Sequence, residues 1–241
     1  MPSKWVREQG IKKGDEIDII EEGDKLIIGT GLGSGIKTLN LDTKEFSKAT
    51  LCRHLRTLYR RGYDKLILKI KNSEQLKEIE EIIRNLIGFE IVEQSKTECV
   101  IEDIAESQTK DVNKLINRVI MLMMSMCEEL QDETKPLQSE KLKDIILTDT
   151  QINKFTDYII RLINKRIVDR NISKELLYFL AIQMESIGDR CKIAAEKITE
   201  LNWNKLVLWT WTPSIKTMYK SVKGELEIFN LLKKYSKKQS N

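Results

Sequence analysis

The chain has 241 residues, and its 41 Lys and Arg against 37 Asp and Glu leave a formal charge of only +4. That mild excess is far from the basic stripe of a dedicated nucleic-acid binder. The length suffices for one large domain or two to three small ones, each able to bury a core without staples. Its four cysteines, Cys52, Cys99, Cys127 and Cys191, form no CxxC pair, and His54 is the single histidine. A cysteine-bound zinc, a His-ligated metal centre and a Ser-His-Asp triad are therefore disfavoured, and a reduced, cytoplasmic, non-enzymatic protein is expected. No apolar run approaches the ~18 to 20 residues that span a bilayer.

Residues 1 to about 30 read as a short helix, "SKWVREQG", closed by Gly10, and two strands, "EIDIIEE" and "DKLIIGT", joined through Gly23-Asp24. Ile17 and Ile19, then Leu26 and Ile28, give each strand one apolar face. A lone hairpin is marginal in water, so this piece must pair with a neighbour or a second copy. The glycine-dense "GTGLGSG" at 29 to 35 lacks the Gly-Lys-Ser/Thr and the following helix of a phosphate-binding loop, which leaves a flexible connector.

From 36 to 104 strands and helices alternate: "IKTLNLD", a helix over 44 to 61, "DKLILKI", a helix over 74 to 87, then "FEIVEQS" and "ECVIEDI". Asp42 and Ser73 are the expected N-caps, and Gly62 and Gly88 the expected C′ glycines. The pattern predicts an α/β sandwich with helices over one sheet face. His54, Arg53, Arg56, Arg60 and Arg61 line one side of the first helix. Leu51, Leu55 and Leu58 at i, i+3/i+4 spacing already account for that helix, which favours a solvated basic flank over a phosphate- or nucleic-acid-binding face.

After residue 105 long helical periods take over, over 108 to 130, 138 to 168, 173 to 200 from a Ser173 cap, and 213 to 235 from Pro213. An antiparallel bundle is expected, with the methionines of "VIMLMMSMCEEL" in its core. Trp203, Trp209 and Trp211 are read as covering the end of the bundle, with partner anchoring as the alternative. The fold class is thus α+β: a hairpin at 1–30, a sandwich at 36–104 and a helical bundle at 105–236.

Within "MESIGDRCKIAAEKI", Glu185 and Asp189 lie one helical turn apart on a polar stripe beside the buried Leu177, Leu180, Met184, Ile187, Cys191, Ala195 and Ile198. Oxygen ligands at i and i+4 suit hard cations once a facing helix adds more. Lys192 three residues on offers ordinary surface pairing instead.

Two resemblances add to this reading. Pro2, Trp5, Gly10, Ile11, Gly14, Asp15, Gly23 and Asp24 of "PSKWVREQGIKKGDEIDIIEEGDKLII" resemble the SpoVT/AbrB swapped-hairpin domain. The resemblance implies a homodimer with interlocked hairpins and transcription-regulating contact with DNA, here through Lys4, Arg7, Lys12 and Lys13. Because the chain starts at the Pro of that motif, the domain's first strand pair and its basic residues are expected to be absent.

The order of segments, with "RNLIGFEIVEQ" and "ESIGDRCKIAAE", resembles the archaeal-type PhoU regulators over nearly the whole chain. This implies negative regulation of phosphate transport and signalling through contact with a phosphate transporter ATPase or a sensor kinase. It also implies a divalent or trivalent metal ion, Mg, Mn, Fe or Zn, at Glu185 and Asp189 with partners on the preceding helix. There "DTQINKFTDYIIRLIN" supplies Asp149 and, one turn beyond the matching positions, Asp157, while Gln151 and Asn153 stand neutral where the family has acids.

Overall fold

Ser3–Glu8 forms a first helix, α1, and a hairpin of β1 (Asp18–Glu22) and β2 (Lys25–Gly29) follows. A computed structural model provides these elements; it describes residues 1–8, 10–15, 17–22, 25–29, 36–105, 112–131, 139–165, 167 and 173–200, and single positions 217, 220, 222–224 and 227. The Gly23-Asp24 turn, the connector from residue 30 to 35, the three bundle-end tryptophans and Pro213 lie outside the described residues. At 217, 220, 222–224 and 227 the chain is helical, inside the span expected for the last helix.

In the hairpin Ile19 sits opposite Ile28, and Leu26 opposite Glu21 two residues along the same face. That register delivers the expected apolar face, and the face is uncovered: Ile19 is 61% and Leu26 66% exposed.

The second sheet comprises β3 (Thr38–Asp42), β4 (Lys65–Lys69), β5 (Phe89–Gln94) and β6 (Glu98–Asp103), in the order β3-β4-β6-β5. The β3–β4 pair is parallel and needs a crossover, which α2 (Lys48–Arg60) supplies; the other pairs are antiparallel. Register stacks Leu39, Leu66, Ile101 and Ile91 in one row, and Leu41, Leu68 and Cys99 in the next. Leu51, Leu55 and Tyr59 of α2, and Ile79, Ile82 and Ile83 of α3 (Ser73–Ile83), belong to the same core. The chain is therefore mixed α+β, as its alternating pattern predicts.

The helix ends differ in detail from expectation. Ser47, not Asp42, caps α2 by accepting from the Thr50 N–H, because residues 43–46 form an intervening turn. Asn72, not Ser73, caps α3 by accepting from the Gln75 N–H. Gly62 is the C′ residue of α2 at φ 78°, and a side chain there would also meet the Lys165 stem at 2.8 Å. Gly88 has φ 90° but lies after the turn that follows α3, directly before β5.

Three long helices complete the described fold: α4 (Val112–Gln131), α5 (Ser139–Asn164) and α6 (Lys174–Glu200), each packed on the other two. Ser173 accepts from the Leu176 N–H and caps α6 as expected. Met123 and Met126 are fully buried in the bundle core as expected, whereas Met121 of the same stretch is 62% exposed, because it falls on the opposite face of α4. Among the described residues no helix is long and apolar enough to cross a membrane.

The bundle is tied to the α/β part by Arg161 of α5, 1% exposed. Its Nη1 donates to the carbonyls of Tyr59 and Tyr63 at the C-terminal end of α2, at 2.9 and 2.7 Å. A cation there also complements the negative end of the helix dipole. Its Nη2 reaches Asp103 at 2.6 Å and Asp64 at 3.3 Å, and the guanidinium carbon lies 4.8 and 5.0 Å from the Tyr59 and Phe89 ring centroids. Lys165, one turn on, shares both carboxylates from a more exposed position.

Removing one member of a buried pair leaves uncompensated charge and usually costs ~3 to 5 kcal/mol, whereas exposed pairs are worth ~0 to 1. Urea unfolding should therefore find Arg161→Met less stable by about 3 kcal/mol, and Lys165→Met by no more than about 1. Equal losses would contradict a seam built on Arg161.

Candidate functional site

Arg56 and Arg60 are separated by one turn of α2 and so leave the helix on one face, opposite Leu51 and Leu55. That face meets α5 and α6, where Asp157 and Glu185 wait. Arg56 Nε donates to Asp157 Oδ2 at 2.9 Å, and its Nη2 to Asp157 Oδ1 at 3.2 Å and Glu185 Oε1 at 2.9 Å. Arg60 Nε donates to Asp157 Oδ1 at 2.5 Å, and its Nη2 to both Glu185 oxygens at 3.0 and 2.9 Å. Two guanidiniums and two carboxylates thus form a closed, charge-balanced square.

Asp157 is almost fully buried and Glu185 largely so, with side chains 3% and 17% exposed. Such charges tolerate burial only when paired and hydrogen-bonded, which planar guanidiniums do bidentately. Burial pulls the Arg56 pKa down, but hydrogen bonds and charges from Asp157 and Glu185 outweigh it and leave it above the ordinary value.

The basic flank of α2 is accordingly divided. Arg53, His54 and Arg61 are exposed, with His54 Nδ1 2.9 Å from the Thr50 carbonyl, as a solvated flank predicts. Arg56 and Arg60 are half-buried, and their guanidiniums are the cations of the interface, a correction that periodicity within α2 alone had no means to supply.

The four acids singled out in the sequence do not share one point. Asp157 and Glu185 meet through arginine, and Asp189 is exposed. Asp149, two turns before Asp157 on α5, is 1% exposed. Its Oδ2 accepts from Lys192 Nζ at 3.3 Å and from Asn153 Nδ2 at 3.2 Å. Lys192 therefore bridges α6 to α5, in addition to any pairing along its own helix. Among the described residues no group of three or more His, Cys, Asp or Glu is placed to hold a metal ion.

Asn153 occupies a position where the resemblance expects an acid, and it donates to Asp149 rather than repelling it. Gly188 lets α5 and α6 approach closely here: an added Cβ would lie 3.3 Å from Ile152 Cγ2 and 3.6 Å from Asp149 Oδ1. Asp149 Oδ1 and Asn153 Oδ1 are buried acceptors with no donor among the described residues. Both residues line a cavity of about 380 Å³ shared with Cys52, Arg56, Lys154 and Lys192. The cavity thus presents two unfilled acceptors beside the cationic donors Arg56, Lys154 and Lys192, a lining suited to polar contacts.

Lys4, Arg7, Lys12 and Lys13 are all exposed on and after α1. Arg7 Nε donates back to the Ser3 carbonyl at 3.3 Å, and the Lys12 N–H donates to Asp15 Oδ2 at 2.7 Å, which organises the Gly14-Asp15 turn.

Comparison with family models, curated proteins and solved structures finds no match to this chain.

Burial raises the Asp149 pKa above its ordinary 3.8, helped by the charges of Asp189 and Glu185 and opposed by Lys192. With the folded pKa above the unfolded one, the folded state holds the proton more tightly, so Asp149 costs stability as pH rises through that window. Asp149→Asn removes this titration. Its stability relative to the unmodified protein should improve between pH 4 and pH 7 in urea unfolding; a gap that is flat or widens with pH would refute the assignment.

Proposed function

We propose that the protein is a PhoU-like regulator of phosphate uptake and phosphate signalling, non-enzymatic and acting by contact with a phosphate transporter ATPase or a sensor kinase. The observation that carries this reading is the arginine-filled carboxylate pair between α2, α5 and α6. It falls on the acidic stretch by which the chain resembles that family, and it joins the α/β part to the bundle as a structural element. In this reading Arg56 and Arg60 supply the positive charge that the resemblance assigns to a metal ion.

Protein contact is further supported by apolar side chains left exposed on the bundle helices, Met121, Leu147, Phe179 and Ile193 among them, at 51 to 62%. The open face of the hairpin, with Ile19 and Leu26, fits pairing with a second copy in the SpoVT/AbrB manner. A second reading, a DNA-binding transcription regulator, draws on the exposure of Lys4, Arg7, Lys12 and Lys13. Phosphate-backbone contacts of that kind weaken steeply with salt.

Affinity capture with the full chain, from cells grown at high and at low phosphate, should recover a phosphate transporter ATPase or a sensor kinase in a phosphate-dependent amount. Labelled promoter DNA should remain unbound at ~50 mM salt. Capture of neither protein would overturn the main reading, and salt-sensitive DNA binding would establish the second.

A further inference from the structure

Cys127 of α4 and Cys191 of α6 face each other in the bundle core, with Sγ atoms 3.6 Å apart and neither side chain exposed. They are 64 residues apart in sequence. Met123, Met126 and Leu130 on α4, and Ile187, Ala194 and Ala195 on α6, belong to the same buried core. A sulfur–sulfur bond is ~2.05 Å long, so joining the two requires about 1.5 Å of approach, within the reach of a χ1 adjustment and a small helix shift.

Two small apolar residues would fill this space equally well. What distinguishes the pair is mutual placement of two thiols on separate helices, sulfur facing sulfur. The other cysteines have no such neighbour in the described fold: Cys52 is partly exposed beside the cavity, and Cys99 lies in β6.

We propose that Cys127 and Cys191 are a reversible thiol–disulfide lock, closed by a low-molecular-weight disulfide such as oxidised glutathione, which fastens α4 to α6. One of the two protein thiolates attacks one sulfur of the small disulfide, forming a mixed disulfide and expelling one glutathione thiolate. The other cysteine then loses its proton and attacks the cysteine sulfur of that mixed disulfide, expelling the second glutathione. Two protein thiols and one oxidised glutathione become one protein disulfide and two reduced glutathiones.

Across the 3.6 Å contact either thiol can donate to the other, so either sulfur can lead the exchange. Because both sulfurs are buried, exchange proceeds through local opening of the bundle and lags behind reaction at Cys52.

Closing the lock fixes α6 against α4, six residues beyond the Glu185 carboxylate that grips α2. The oxidised chain therefore holds the arginine-bound face of α6 in one register.

The test is to incubate the full native chain with oxidised glutathione, quench with an alkylating agent, and map its thiols by mass spectrometry. The expected product is an intrachain Cys127–Cys191 link, 2 Da lighter, reversed by dithiothreitol, with a thermal midpoint raised by about 5 to 10 °C. A Cys52→Ser, Cys99→Ser variant should form the same link, since it retains both sulfurs. Recovery of Cys127 and Cys191 as separate alkylated peptides while Cys52 carries glutathione would overturn the proposal. So would a link joining any other pair.

Discussion

Burying carboxylates between two helices requires cations close by, and that requirement organises this molecule. Asp157 and Glu185 come from α5 and α6, yet neither helix neutralises the pair; the positive charge comes from Arg56 and Arg60 on α2, about a hundred residues earlier in sequence. The bundle's acidic seam is therefore complete only when the α/β part is docked on it. Conversely, the two arginines on α2 are satisfied only when the bundle is present.

A second interlock repeats the logic with the signs exchanged. Here the bundle contributes the cation, Arg161, and the α/β part contributes Asp64, Asp103 and the carbonyls closing α2. Tyr59 sits at the centre: its ring packs edge-on against Phe89, its hydroxyl donates to the Ile87 carbonyl, and its own carbonyl receives Arg161. Two opposed sets of buried charge make sliding of one part over the other costly, since a shift would unpair several ions together. A rigid joint between the two parts of the chain is what such a construction provides.

The fold was largely legible because its signals are local. Alternation in Leu39, Leu41, Leu66 and Leu68 marked the strands, and the 3.6-residue period of α4 to α6 marked the bundle. Cap positions shifted by a few residues because Ser, Asn and Asp are neighbours at each helix start and only the turn geometry selects among them. The i, i+4 spacing of Glu185 and Asp189 pointed to α6, but the fold draws only Glu185 into the charged square and leaves Asp189 exposed. The cations of that square were not legible. Arg56 and Arg60 share their helix with Arg53 and Arg61, and nothing within that helix distinguishes an arginine bound for solvent from one bound for a distant carboxylate. Their separation by four residues, equal to one turn, was the available signal, and it pairs them without naming what they face. Asn153 is similar: read as a lost acid, it is in the fold a donor that steadies Asp149.

Docking of the α/β part on the bundle depends on energetic coupling between α2 and the carboxylates of α5 and α6. A double-mutant cycle on Arg60 and Asp157, with Arg60→Met, Asp157→Asn and the combination compared by urea unfolding, measures it directly. The expected coupling is about 1 to 3 kcal/mol, the double variant losing less than the two single losses added together. Losses that add to within about 0.5 kcal/mol would mean that the two groups are merely neighbours, and that something other than this ion pair joins the two parts of the chain.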